Sequence, residues 1–83
     1  MPSGSTDPPR SVEIEYCHPC GFLERALTVQ EAILRSFGTT LESVTLRVGD
    51  HGVFVVRVDG TPVFDVSEDA FDVDEIVRRV RTA

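Results

Sequence analysis

The 83-residue chain is long enough for one small domain with a marginal core, and 41% hydrophobic content fits a globular rather than a disordered chain. Its formal net charge is -6, which opposes a nucleic-acid role, because that role needs a basic patch. No apolar run is long enough for a transmembrane helix, and the opening MPSGSTDPPR has neither the basic start nor the apolar stretch of a secretory signal.

The expected location is therefore the cytoplasm, with no membrane association. In that reducing compartment a lone cysteine pair is more often catalytic or metal-binding than structural. All eight cations are arginine and lysine is absent. The scattered acids read most simply as a solvated surface. The missing lysine also fits a halophilic, high-salt adaptation.

Residues 1–10 are rich in Pro, Ser and Gly and read as a disordered tail; the folded domain is expected over 11–83. From Val12, VEIEY alternates apolar and acidic residues, the pattern of a half-buried strand. CHPC follows at once. Leu23, Ala26, Leu27, Gln30, Ile33, Leu34 and Phe37 then recur at helical spacing, with only Gln30 polar, and Gly38 is a suitable stop. Pro19 suits a helix start, where its missing N–H costs nothing.

SVTLRV, residues 43–48, is a second strand that points Val44, Leu46 and Val48 inward. Gly49 to Gly52 form a turn. VFVVRV, residues 53–58, is apolar on both faces except at Arg57 and reads as a central strand. Asp59-Gly60 signals a two-residue hairpin. Thr61 to Val66 follow as a fourth strand, with Pro62 favouring an edge position. A last helix starts near Val73, with Asp72 as N-cap and Glu75 at capping-box spacing. Val73, Ile76, Val77 and Val80 form its buried stripe, while Arg78, Arg79 and Arg81 complement the helix dipole.

The order strand–helix–strand–strand–strand–helix predicts an α/β (α+β) fold, a mixed four-stranded sheet covered by two helices. The strand–helix–strand unit makes its two strands parallel. CHPC then sits at a strand-to-helix junction, where unpaired amides and the helix dipole stabilise a thiolate. Protonated His18 adds to this. Cys17 and Cys20 are close enough to bridge, and a short ring of this kind is easily reduced again.

Parallel pairing puts the Gly49–Gly52 turn at the same sheet edge as CHPC. His51 reads first as a solvated turn residue. If the third strand pairs with the first, however, the turn crosses over the first strand's end and His51 approaches the cysteines. Metal binding and simple burial of two small side chains are the competing readings. Zinc wants four ligands, and Cys17, Cys20, His18 and His51 supply them only with strain, so no metal and no other cofactor is assigned.

The strand, the stretch Tyr16-Cys17-His18-Pro19-Cys20-Gly21 at a helix start, and the hairpin VFVVRVDGTPVFD together resemble the Rdx family, which includes selenoproteins W, T and H. The resemblance covers residues 11 to 82. It implies a thioredoxin-like fold and a thiol–disulfide oxidoreductase acting on a protein disulfide or a small thiol. Cys17 matches the first redox cysteine and Cys20 the position of selenocysteine. Gly21 matches a glycine expected to permit close packing at the helix start. The alternative is a module that uses the cysteines for metal or redox-dependent partner binding without turnover. The sequence leaves oligomeric state, substrate and reductant open.

Overall fold

The computed structural model describes residues 10–83. The expected tail, residues 1–10, lies outside the described residues except for Arg10, which already belongs to the first strand. In chain order the elements are β1 (Arg10–Tyr16), α1 (Leu23–Phe37), a 3-10 turn (Gly38–Thr40), β2 (Leu41–Val48), β3 (Phe54–Val58), β4 (Thr61–Asp65) and α2 (Val73–Thr82). This is the expected β-α-β-β-β-α order. The sheet runs β2-β1-β3-β4, with β1 parallel to β2 and antiparallel to β3, and β3 antiparallel to β4.

Alternation decides which face is covered. Val12, Ile14 and Tyr16 of β1, Phe54, Val56 and Val58 of β3, and Phe64 of β4 form one buried cluster. Ala26, Val29 and Ile33 of α1 and Ile76, Val77 and Val80 of α2 complete it, so both helices cover the same side. Phe54 is the aromatic centre, packing edge-on against Phe22, Phe64 and Phe71. Each such pair adds roughly 0.5–1.5 kcal/mol beyond burial of area. These phenylalanines serve the core rather than a ligand platform.

The opposite face of the sheet carries buried Val55 among mostly polar side chains and is held by charge. Arg57, the one polar side chain of β3, donates to Glu15 at 2.9 Å and to Glu13 at 3.2 Å. Above all, the Glu15 hydrogen bond pushes the Arg57 pKa up, against the opposing pull of partial burial. The Asp59-Gly60 hairpin forms as expected, with Asp59 and Gly60 both at positive φ, and Asp59 Oδ1 accepts from the Ser11 N–H at 3.0 Å.

Three expectations about side chains change. Leu27 and Leu34 are 46% and 44% exposed, and Val29, outside the expected stripe, is fully buried. The buried stripe Ala26–Val29–Ile33 is rotated from the apparent one because the sheet covers only part of a broad apolar arc. Val48 is 64% exposed rather than inward. It ends an edge strand and has a neighbouring strand on one side only. The Asp72 carboxylate caps α2 by accepting from the Glu75 N–H at 3.2 Å, but Glu75 does not return the bond. Its carboxylate instead accepts from Arg78 and Arg79.

Gln30, the polar residue on the apolar arc of α1, has a distinct task. Its amide donates to the Val44 carbonyl at 2.8 Å and so ties the helix to the edge strand β2. Arg79 likewise donates to Asp69 and to the Val63 carbonyl, and the Arg81 guanidinium lies over the Phe37 ring. The arginines of α2 therefore anchor the helix to its surroundings as well as meeting its dipole. Among the described residues, no helix is long and apolar enough to cross a membrane.

Candidate redox site

Cys17 follows the last residue of β1 and is fully buried. Its N–H donates to the Val53 carbonyl at 2.8 Å, which extends the β1–β3 pairing by one bond. The chain then turns. Gly21 N–H donates to the His18 carbonyl at 3.1 Å and Phe22 N–H to the Cys17 carbonyl at 3.4 Å. This reversal brings the Cα atoms of Cys17 and Cys20 to 5.4 Å, and the two sulfurs form a disulfide.

The turn is separate from the helix. Helix α1 begins only at Leu23, after Phe22, which offers no side-chain cap. Pro19 is therefore a turn residue rather than the first residue of the helix. The glycine at 21 also has a different reason from the expected one. A Cβ there would touch nothing within 4 Å, but φ is +80°, a conformation that L side chains rarely adopt. Gly21 serves to close the turn, not to allow close packing.

The Gly49–Gly52 turn crosses the end of β1, as the pairing of β3 with β1 requires. Gly49 N–H donates to the Tyr16 carbonyl at 2.9 Å, and the Cys17–Val53 bond holds the turn's other end. Both ends of the turn are thus pinned beside Cys17. Between them, Gly52 N–H donates to Cys20 Sγ at 3.3 Å, and His51 Nδ1 lies 3.8 Å from the same sulfur. The amide that meets Cys20 therefore comes from this turn, whereas the sequence pointed to the helix start. Sequence reasoning missed this donor because it is a backbone group. The available signal was Gly52, which sits at φ +81° in the left-handed region.

The other histidine goes elsewhere. His18 is exposed and its ring stands edge-on to Tyr16, with centroids 6.2 Å apart. Cys17, Cys20 and His51 bring their ligand atoms within 4.8 Å of one another. The two sulfurs differ sharply in access. Cys17 is enclosed, whereas Cys20 is part-exposed and faces an exposed histidine. Such a pair can hold or release two electrons as a disulfide or a dithiol, with Cys20 the sulfur that meets solvent.

Comparison with known proteins agrees with this architecture. The Rdx family model matches residues 11–82. Migration and invasion enhancer 1 of Bos taurus is 35% identical over 86 residues, spanning 94% of this chain and 72% of the bovine protein. The Mus musculus protein of the same name is 32% identical over 92 residues, covering 94% and 77%. Among solved structures, a Bordetella parapertussis protein superposes with a TM-score of 0.83 at 33% identity, covering 89% of this chain and 96% of that one. A selenoprotein W-related protein from Vibrio cholerae superposes at 0.82 with 22% identity, covering 89% and 95%, and so supports the fold alone.

Proposed function

The chain belongs to the Rdx family, with a Cys17–Cys20 disulfide at its redox site, and on that premise we propose that it is a thiol–disulfide oxidoreductase in which Cys20 attacks and Cys17 resolves. The observation that carries this reading is the difference in access between the sulfurs: Cys17 is fully buried and Cys20 is part-exposed. The Gly52 N–H already directed at Cys20 favours negative charge on that sulfur.

In the reducing direction, the Cys20 thiolate attacks one sulfur of a substrate disulfide. A mixed disulfide forms and the other substrate sulfur leaves as a thiolate, which takes a proton from water. The Cys17 thiolate then attacks Cys20 Sγ and releases the second substrate thiolate. Two electrons have passed to the substrate and the pair is again a disulfide. An external thiol, a small molecule or a protein dithiol, restores the reduced pair. This cycle suits the cytoplasm, where such reductants are kept available.

The test is to equilibrate the protein with glutathione buffers of stepped potential and to challenge each Cys→Ser variant with a disulfide substrate. Reversible two-electron conversion is expected. Cys17→Ser is expected to accumulate a mixed disulfide through Cys20, and Cys20→Ser to form almost none. A pair that does not cycle defeats the redox reading. Trapping only in Cys20→Ser reverses the two roles.

A further inference from the structure

The sulfur pair has a third neighbour that disulfide exchange does not require. His51 is carried on a turn whose two ends are hydrogen-bonded to the residues flanking the β1–Cys17 junction, Gly49 N–H to the Tyr16 carbonyl and Cys17 N–H to the Val53 carbonyl. The turn therefore holds an imidazole over the sulfurs, with Nδ1 3.8 Å from Cys20 Sγ. A zinc-type cation bound at about 2.3 Å to sulfur and about 2.0–2.1 Å to nitrogen, with tetrahedral angles, separates the two donors by about 3.6 Å. The observed spacing is close to that value while the site is oxidised.

We propose that the reduced protein binds a borderline-soft divalent cation of the zinc class through Cys17, Cys20 and His51. Thiolate and imidazole donors select such a metal over magnesium or calcium, which prefer oxygen. Three protein ligands leave a fourth position for water or an outside thiol, the arrangement of an open rather than a closed metal site. His18 takes no part, because it stands exposed beside Tyr16 and outside the group whose ligand atoms lie within 4.8 Å of one another.

Binding replaces two thiol protons by the cation and moves no electrons. It requires the disulfide to be open, as the redox reading also does, and the sulfurs must part from bonding distance to about 3.8 Å. Cys20 lies in an exposed turn, so its side chain can rotate without disturbing the core. Metal and disulfide are then mutually exclusive states of one site. A bound cation holds the thiols reduced and shields them from exchange.

The experiment uses the full chain, reduced without oxygen, with its free thiols counted first. Cobalt(II) is titrated in as a spectroscopic probe, followed by competition with zinc(II). The expected result is one cation per chain, with thiolate-to-cobalt charge transfer and the intense visible bands of a four-coordinate site. The signal should vanish on reoxidation of the same sample, a control that needs no variant.

His51→Ala should weaken zinc binding by at least about tenfold, and His18→Ala should leave it unchanged. Circular dichroism of both variants shows that they fold. The proposal is overturned by two counted thiols without charge transfer, by His51→Ala binding as tightly as the parent, or by a four-thiolate complex between two chains that ignores His51. A pair that cannot be reduced overturns both this proposal and the redox cycle. A pair that cycles but ignores the metals overturns only this one.

Discussion

The two helices of this protein begin in opposite ways. Helix α2 starts on local chemistry: Asp72 caps it, Asp74 and Glu75 lie in its first turn, and Glu75 reaches on to Arg78 and Arg79. Helix α1 starts on Phe22, which makes no side-chain cap. Its entry is fixed by packing instead, with Phe22 edge-on to Phe54 and the Arg25 guanidinium over the rings of Phe22 and Phe71. The difference teaches where each start spends its polar groups. The α2 start uses them to stabilise itself. At α1, hydrophobic contacts hold the entry, and a separate turn ahead of the helix presents the cysteines.

The comparison breaks most severely at Phe54, on which the entry of α1 depends. Phe54→Ala should cost about 3–5 kcal/mol, the usual range for a buried Phe, read as a lower urea midpoint. Because Phe54 lies one residue after Val53, whose carbonyl holds Cys17, the same variant should also shift the dithiol potential. An unchanged potential would show that the site is independent of the core beneath it.

A smaller effect is expected at the other start. Asp72→Ala should cost about 1 kcal/mol, typical of a lost N-cap, and Asp72→Asn should recover most of it. Neither should alter the potential, because the hydrogen bonds at the cysteines come from the Gly49–Val53 segment and their own turn rather than from α2. A changed potential in these variants would mean that the two starts are coupled.

The smallest effect sharpens the electrostatic half of the contrast. The Arg78 hydrogen bond, then that of Arg79, lowers the Glu75 pKa from 4.5 to about 2. The folded state therefore binds this proton less readily than the unfolded chain. The stabilisation is fully present above about pH 4.5 and is lost as pH falls through about 2. The pair is exposed, so the effect is small and salt weakens it. Urea midpoints followed down this range should converge for the parent and Glu75→Gln. A constant gap would remove Glu75 from the acid response.

Much of the fold is legible residue by residue. The alternation of VEIEY, the apolar run of β3, the Asp59-Gly60 turn and the Asp72 cap are local signals, and each appears where its chemistry directs. The proximity of the cysteines is equally local, since three residues cannot carry them far apart. The buried side of α1 is less legible. Leu27 and Leu34 are as apolar as Ile33 and only two turns or less away from it. Sequence alone gives an arc wider than the sheet can cover, and only docking chooses Val29 over Leu27.

The sequence by itself determined the elements, their order and the presence of a cysteine pair at the end of the first strand, because these follow from interactions between near neighbours in the chain. Tertiary structure decided the rest of the site. Cys17 is enclosed and Cys20 reachable only because β1 ends beneath the turn between β2 and β3. His51 and the Gly52 N–H lie more than thirty residues from Cys20 in the chain and reach its sulfur through the pairing of β3 with β1. No local pattern encodes that approach. It follows from strand order, which is set by the burial of the whole sheet against both helices.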